Sequence, residues 1–264
     1  MNAAIKLSSP ATSEFWEIPV LHEDEHLLAL DKPAGLLVSP DKLEPDRPSL
    51  IKLLHAAIAA GKPWARERNV TYLVNTHRLD ADTTGVLLLA KNKAALVEVA
   101  NQLGTDTPIR KYLALVQGVP PDATFSVDEK IGSHPLQPGR MRIDPRNGKK
   151  SKTECTVVES YSKWSLIHCV PGTERTQQVL LHLSHVGFPV VGDESRGGKK
   201  LWLSRLKKDF YLKPGHDERP LISRVALHAE ELNLLHPATR APLTLKSEWP
   251  KDIRVAVKYL RQYA

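Results

Sequence analysis

A short run of ionisable and hydroxyl side chains precedes a strongly apolar segment near residue 80. Its members are His77, Arg78, Asp80, Asp82, Thr83 and Thr84, and the run ends at Gly85. The apolar residues 86–89 follow directly, which predicts a buried strand entered through a polar turn. A carboxylate fixed in such a turn can act as a nucleophile or a general base if it stays ionised. Taken alone, the turn also fits a structural role in which Asp80 caps backbone N–H groups.

Two further constellations could carry chemistry. Asp80 and Asp82 would share one face of an extended segment, and retaining glycosidases use two carboxyl groups about 5–5.5 Å apart. His182 and His185 are spaced to share a helix face and could ligate a metal, but no third ligand follows at metal-site spacing. We interpret the histidines as a helix-surface pair. The carboxylate pair remains an alternative, although nothing else in the chain indicates a sugar cleft.

The elements that would position these residues are many short strands and a few helices. Apolar residues at helical spacing predict helices over 49–60, 94–103, 177–186 (capped by Thr176) and 252–263. Apolar runs and alternation predict strands over 18–21, 26–31, 86–89, 111–118, 125–128, 153–160, 164–170, 224–235 and 243–248. This pattern predicts an α+β fold around a largely antiparallel sheet. Residues 1–14 are polar and aperiodic, so we expect a flexible leader followed by one domain over 15–264.

Composition limits the class of protein. The chain has 264 residues, of which 41% are hydrophobic and 25% charged, so it can form a sizeable core. No apolar run approaches the roughly 20 residues that span a bilayer, and residues 1–10 lack a signal-peptide core. Cys155 and Cys169 fall in separate predicted strands. We expect them to be small core residues of a cytoplasmic protein.

The charge favours a polyanionic partner, because the formal net charge is +7 at pH 7. One basic group, here called the basic segment (residues 140–152), comprises Arg140, Arg142, Arg146, Lys149, Lys150 and Lys152. A second group surrounds Trp202 and Phe210 and comprises Lys199, Lys200, Arg205, Lys207 and Lys208. Cationic loops with aromatic residues suit phosphate contacts and base stacking. The second group fits a solvated helix face equally well.

Five ordered blocks resemble those of the RluA-type RNA pseudouridine synthases. The block around Asp80 reads His-Arg-Leu-Asp-x-x-Thr-Thr-Gly and continues into Leu-Leu-Leu-Ala-Lys. The other blocks lie at residues 30–38, 110–118, 174–193 and 227–237. Because the blocks occur in order along most of the sequence, the chain is identified as a member of that family.

The resemblance implies an α+β fold with a largely antiparallel mixed sheet, flanking helices and a central cleft. It also implies cleavage of the N1–C1′ bond of a uridine, rotation of the uracil and reattachment through C5. This isomerisation requires neither a metal nor a redox cofactor. Asp80 occupies the place of the family's essential aspartate, and Tyr112 that of its active-site tyrosine. The remaining candidates, which would bind the substrate, are Arg78, Lys111, Arg175 and Gln178.

The implied partner is ribosomal or transfer RNA. The two basic groups would flank the cleft, and extrusion of the target nucleotide would give access to its C1′ atom. Only the short leader precedes the first predicted strand, so we expect a lone catalytic domain without a separate N-terminal RNA-binding module, and by default a monomer. We expect no membrane association, since no apolar run is long enough to span a bilayer.

The sequence departs from the family pattern at two positions. The family's third block carries an arginine that pairs with the catalytic aspartate, and this chain has Leu180 there. A buried carboxylate without a cation has a raised pKa. Either another cation (Arg78, Lys111 or Arg175) compensates, or Asp80 is more solvated, or turnover is weakened. A family tyrosine is also replaced, by Arg196. The alternative function is therefore a catalytically weakened RNA-binding relative.

Overall fold

The structure is a computed structural model that describes residues 4–41, 44–105, 108–213 and 215–264. Its helices are α1 (Leu50–Ala59), α2 (Pro63–Glu67), α3 (Lys93–Leu103), α4 (Gln178–His185) and α5 (Lys251–Tyr263). Its strands are β1 (Ile5–Ser9), β2 (Glu14–Ile18), β3 (Val20–Glu23), β4 (Leu27–Lys32), β5 (Val74–Asn75), β6 (Thr84–Ala90), β7 (Ile109–Gln117), β8 (Thr124–Asp128), β9 (Ile131–Ser133), β10 (Met141–Ile143), β11 (Lys152–Ser160), β12 (Trp164–Pro171), β13 (Leu227–Leu235) and β14 (Pro242–Lys246). Short 3-10 turns occur at Glu194–Arg196 and Leu203–Arg205.

The chain forms two compact units. Unit 1 comprises the residues up to Arg110 together with Ala229–Glu248, and unit 2 comprises Lys111–His228 and Trp249–Ala264. The boundaries between the units lie inside β7, inside β13 and between Glu248 and Trp249. The single domain expected over 15–264 stays a prediction. In both units strands predominate and the registered neighbours pair antiparallel. The predicted α+β class is confirmed.

In unit 1, β6 lies between β4 and β13, and every residue of β6 is buried. A strand covered on both faces requires the continuous apolar run that the sequence shows here. Helix α3 contributes Ala95 and Val99 to the same core. The helix begins where the Asn92 side chain accepts a hydrogen bond from the Ala95 N–H at 2.8 Å.

The first described residues form a hairpin. β1 pairs antiparallel with β2, and Ile5 and Ile18, which face each other, are both fully buried. β1 also packs against α1. The flexible leader expected over residues 1–14 is therefore wrong for residues 5–14, where buried Ile5 and Leu7 alternate with exposed polar residues. Residues 1–3 lie outside the described residues.

In unit 2, the strands follow the order β7, β12, β11 and β8, all antiparallel. Helices α4 and α5 share a core with these strands. Cys155 and Cys169 face each other on β11 and β12 as free, buried thiols with their Sγ atoms 3.8 Å apart. The hydrogen bond to Cys155, together with burial, raises the pKa of Cys169. Both cysteines are core residues, as expected.

A second hairpin, formed by β9 and β10, lies in the chain between β8 and β11. It contains the first residues of the basic segment. Within the described residues, no helix combines the length and the apolar character needed to cross a membrane.

Candidate active site

Asp80 lies in a turn that leads directly into β6. The Asp80 carbonyl accepts a hydrogen bond from the Thr83 N–H at 3.1 Å, and the Asp80 residue is half-buried. The predicted order of polar turn and buried strand is confirmed. The turn also removes the basis for a glycosidase pair, because Asp80 and Asp82 do not lie on an extended segment.

A buried lysine holds this turn through its main chain. Lys32 is fully buried at the end of β4. Its Nζ donates to the carbonyl oxygens of Pro33 (2.8 Å), Ala81 (2.7 Å) and Thr83 (2.9 Å). An ammonium group has three N–H donors, so these carbonyls can engage all of them. Lys32 therefore joins two of the sequence blocks, a function that the sequence analysis missed.

The approach to the turn is fixed along β6. The His77 Nε2 accepts the Leu88 N–H at 3.1 Å, so His77 carries its ring proton on Nδ1 in this arrangement. The Thr76 N–H and hydroxyl both donate to the Leu88 carbonyl at 3.0 Å. At Gly85, where φ is +112°, an added Cβ would lie 2.1 Å from the Ala229 oxygen. Glycine therefore allows the main chains to approach closely.

The other predicted residue of unit 1, Arg78, is exposed and lies two residues before Asp80. It belongs to the same polar run but is more open to solvent than the half-buried Asp80. An exposed cation, Arg78, and a half-buried carboxylate, Asp80, are thus two positions apart in the sequence. An exposed guanidinium in this place is available to a phosphate group.

Lys111 and Tyr112 are the first residues of unit 2 and lie on β7. Tyr112 faces Cys169 across the strands and packs, half-buried, against the core of unit 2. Successive side chains of a strand point to opposite faces of the sheet. The structure therefore places both candidates on one strand but not on one face of it.

Gln178, the first residue of α4, is fully engaged within unit 2. Its amide oxygen accepts the Thr173 hydroxyl (2.8 Å) and the Arg175 N–H (3.2 Å). Its amide nitrogen donates to the Lys152 carbonyl (3.0 Å) and the Thr153 hydroxyl (3.1 Å). These contacts use the whole capacity of one amide group, and Gln178 is only 4% exposed. This side chain therefore fixes its own segment to β11, and its role in substrate binding stays a prediction.

Arg175 lies half-buried in the same segment. Its Nη2 donates to the carbonyl of Lys150 at 3.4 Å, which connects it to the basic segment. Its Nε has no hydrogen-bond partner among the described residues. Buried donors are normally satisfied, so this buried N–H is an exception among the described residues.

Leu180, at the place of the family arginine, is a core residue. Six consecutive residues of α4, from Gln178 to Leu183, are buried. Leu180 is 5% exposed and belongs to the apolar core of unit 2. A helix that is apolar on most sides is surrounded by protein. This chain therefore uses the position for packing.

His182 corrects the expectation of a helix-surface pair. It is fully buried, with Nε2 3.0 Å from the Glu129 carbonyl and Nδ1 2.9 Å from the Thr153 hydroxyl. Burial lowers the pKa of His182, and the hydrogen bond to Glu129 offsets this only in part. His185 remains partly exposed, 3.7 Å from the Glu129 carboxylate. In the part of the chain that the structure describes, no group of three or more His, Cys, Asp or Glu side chains is placed to hold a metal ion.

Arg196, in place of the family tyrosine, forms a buried ion pair. Its Nη1 lies 3.2 and 3.0 Å from the Oδ1 and Oδ2 atoms of Asp193. Its Nη2 donates to the Gln177 side chain, directly before α4. Gln177 has a φ of 59° and is the N-cap residue, where Thr176 was expected. The left-handed conformation is unfavourable for a non-glycine residue, so the Arg196 contact helps to hold it.

Comparison with known proteins decides the family. A family model described as RNA pseudouridylate synthase matches residues 26–185, more than half of the chain. The chain belongs to the RNA pseudouridylate synthase family. The match includes the Asp80 turn, Lys32, Tyr112 and Arg175.

Curated relatives agree with this assignment. The chain is 36% identical over 246 residues to ribosomal large subunit pseudouridine synthase D of Nitrosomonas europaea, which covers 92% of this chain and 65% of the relative. It is 32% identical over 262 residues to ribosomal large subunit pseudouridine synthase C of Buchnera aphidicola, covering 98% and 75%. The chain thus spans just under two thirds of the length of the Nitrosomonas relative.

A solved structure shows the same fold. The human protein RNA pseudouridylate synthase domain containing 4 matches with a TM-score of 0.70 and 26% identity, covering 92% of each chain. The chain is therefore a member of a family of RNA-modifying isomerases with the pseudouridine synthase fold.

Proposed function

We propose that this protein is an RNA pseudouridine synthase that isomerises a uridine in the RNA of the large ribosomal subunit. The Asp80 turn carries the proposal, because it presents a half-buried carboxylate on a main chain that Lys32 and β6 hold in place. The substrate class follows from the relatives' names. One is a synthase C and the other a synthase D, so the names do not specify which uridine is modified.

In the proposed reaction, Asp80 acts on the ribose of an extruded uridine. Its carboxylate attacks C1′ or removes the C2′ proton, and the N1–C1′ bond breaks. A carboxylate next to C1′ would stabilise the positive character that develops on the sugar. The uracil turns and C5 bonds to C1′, which releases the Asp80 carboxylate from C1′ on the first route and is accompanied by return of the proton to C2′ on the second. C5 then loses its proton and N1 gains one. The product is an isomer of the substrate. The residues therefore need only to position the uridine, protect the reacting groups from water and move protons.

The other predicted residues take supporting roles in this proposal. Tyr112 packs against the extruded base and exchanges a hydrogen bond with it. Arg78 grips a phosphate or fills the space that the nucleotide leaves. Lys111 and Arg175 contribute positive charge, which favours contact with RNA phosphates. A cytoplasmic monomer remains part of the proposal.

Pseudouridine mapping tests the function. Total RNA from a strain that lacks the protein would be incubated with wild type, Asp80→Ala and Asp82→Ala. We expect wild type and Asp82→Ala to create the same new pseudouridine in large-subunit RNA and Asp80→Ala to create none. Asp82→Ala is the matched control, since it removes a neighbouring half-buried carboxylate from the same turn. Filter binding would show that Asp80→Ala still binds RNA.

Three other outcomes would change the conclusion. If wild type binds RNA but forms no pseudouridine, the catalytically weakened relative is the better description, and the core position of Leu180 would be its cause. A new site in transfer RNA alone would replace the proposed substrate class. Activity of Asp80→Ala equal to that of wild type would remove Asp80 from the mechanism.

The substitute cation is tested in the same assay. Arg78→Ala and Arg175→Ala would be compared under single-turnover conditions at saturating protein. If one of these arginines compensates for Leu180, its replacement by alanine should lower the rate of the chemical step even when all RNA is bound. If an arginine only contacts phosphates, its replacement by alanine should instead lower the affinity for RNA and the salt dependence of that affinity. Full rates for both variants would exclude both as substitutes.

A further inference from the structure

The β9–β10 hairpin presents an apolar side chain at its tip. β9 and β10 pair from Ile131 with Ile143 to Ser133 with Met141, and residues 134–140 connect them. Leu136, in this connection, is 85% exposed, the highest value among the large apolar side chains in the described parts of the chain. Single exposed leucines are common on protein surfaces, so the surroundings of Leu136 decide whether it has a function.

The connection that carries Leu136 is held in shape. The His134 N–H donates to the Arg140 carbonyl at 2.8 Å, which closes the loop. Pro135 and Pro138 stand on either side of Leu136 and Gln137 and restrict the backbone φ angles. A side chain on a restrained loop loses little conformational entropy when it binds. Leu136 is therefore exposed without belonging to a freely moving loop.

Positive charge surrounds the base of the hairpin. The Arg140 Nη2 donates to the Ser195 carbonyl at 3.1 Å, which fixes Arg140 against the rest of unit 2. Arg142 is bonded to Asp144 but keeps 44% of its side chain exposed. The following cations of the basic segment, Arg146, Lys149 and Lys150, are exposed as well. The hairpin thus combines an apolar tip with a cationic base.

From this geometry we infer that Leu136 is a wedge that enters between stacked bases of the bound RNA while the basic segment holds the phosphates. Nucleic-acid-binding proteins insert leucine and similar apolar side chains between base steps in this way. Extruding a nucleotide requires its stack to be opened. The inference rests on the proposed function for the identity of the RNA, but the opening of the stack can be measured without catalysis. The surrounding positive charge favours RNA over an apolar protein partner.

A fluorescent RNA tests the wedge directly. The probe is an RNA hairpin with 2-aminopurine in its stem, next to a single bulged uridine, because this base becomes brighter when it unstacks. We expect fluorescence to rise with wild type and Leu136→Met and to stay near the free-RNA level with Leu136→Ser. The matched control is Val97→Ser, which removes another exposed apolar side chain (52% exposed) on α3, far along the sequence from the basic segment. Filter binding should show that all four proteins bind the probe within about threefold, since phosphate contacts dominate affinity.

A second measurement separates the wedge from the proposed function. At the uridine identified by mapping, Leu136→Ser should slow single-turnover isomerisation about tenfold, as expected for the loss of one stacking-scale contact. A mismatch next to that uridine should restore the rate to within about twofold, because the stack is then already weak. If wild type brightens the probe but forms no pseudouridine, the proposed function fails and the wedge stands. Equal brightening by wild type and Leu136→Ser, or no brightening by wild type, overturns the wedge.

Discussion

The Asp80 turn in unit 1 and the segment around α4 in unit 2 are stabilised by different kinds of contact. In the turn, the stabilising contacts go to the main chain, since Lys32 binds carbonyl oxygens and Gly85 packs against the Ala229 backbone. In the α4 segment they also join side chain to side chain, from Gln178 to Thr153 and from Arg196 to Gln177.

The difference matches where the family pattern is kept and where it is lost. Main-chain carbonyl oxygens are present whatever the side chains are, and Lys32 and Gly85, which make these main-chain contacts, are both present in this chain. A network of side chains can be rebuilt by replacing several of its members. Leu180 and Arg196 show such replacement, since the first packs in the core and the second forms a buried ion pair. Restoring an arginine at Leu180 would bury a charge in that core.

Gly85→Ala should have the largest effect on stability. It tests the closest main-chain contact of the Asp80 turn. The new Cβ would lie 2.1 Å from the Ala229 oxygen, and the backbone φ is +112°. We expect a loss of at least about 4 kcal/mol in the free energy of unfolding, or no soluble protein. Gly35→Ala is the control, because Gly35 also has a positive φ but no atom within 4 Å of an added Cβ. That variant should lose only about 1–2 kcal/mol in urea unfolding. Equal losses would show that backbone conformation, not close approach, requires glycine.

Lys32→Met comes next and tests the main-chain contacts directly. Removing the ammonium leaves three carbonyl groups without this donor, and we expect a loss of about 3 kcal/mol in the free energy of unfolding. The melting temperature should fall by about 6–12 °C. Lys93→Met, an exposed lysine at the start of α3, should melt within about 2 °C of wild type. If both variants melt alike, Lys32 does not stabilise the turn.

The sequence predicted the secondary-structure elements better than it predicted the contacts between residues distant in sequence. Continuous apolar residues indicated β6, and helical spacing placed α1 and α3 within one residue of their observed bounds. Strand β1 was missed because its exposed positions are polar and its buried face consists of alternate residues. The role of Lys32 depends on contacts with residues 49 and 51 positions away. No local pattern contains that information.

The same limit applies to Gln178. Its place in the third block predicts a site residue, and its hydrogen bonds show in addition that it anchors its own segment to β11. Sequence blocks identify residues that a family retains, but chemistry and support can both require them. The Asp80 turn was predicted more fully, because its polar run and buried strand are adjacent in sequence.

His182 should give the smallest effect and tests the side-chain network of unit 2. Burial lowers the pKa of His182 below its ordinary value of about 6.5. The unfolded chain therefore binds this proton more readily than the folded protein does. The contribution of neutral His182 is fully present above about pH 6.5 and falls as pH drops through that value towards the lower pKa of the folded state.

His182→Gln should remove this dependence while keeping a polar side chain beside Thr153 and Glu129. At pH 7.5 we expect a loss of about 1 kcal/mol from altered hydrogen bonds. Urea unfolding at pH 7.5, 6.5 and 5.5 should then show a smaller decline in stability with falling pH than wild type shows. His185→Gln, which changes the partly exposed neighbour, should retain the wild-type decline. If His182→Gln keeps the full decline and His185→Gln reduces it, the pH response belongs to the surface histidine, and the buried side-chain network is not the acid-sensitive part of unit 2.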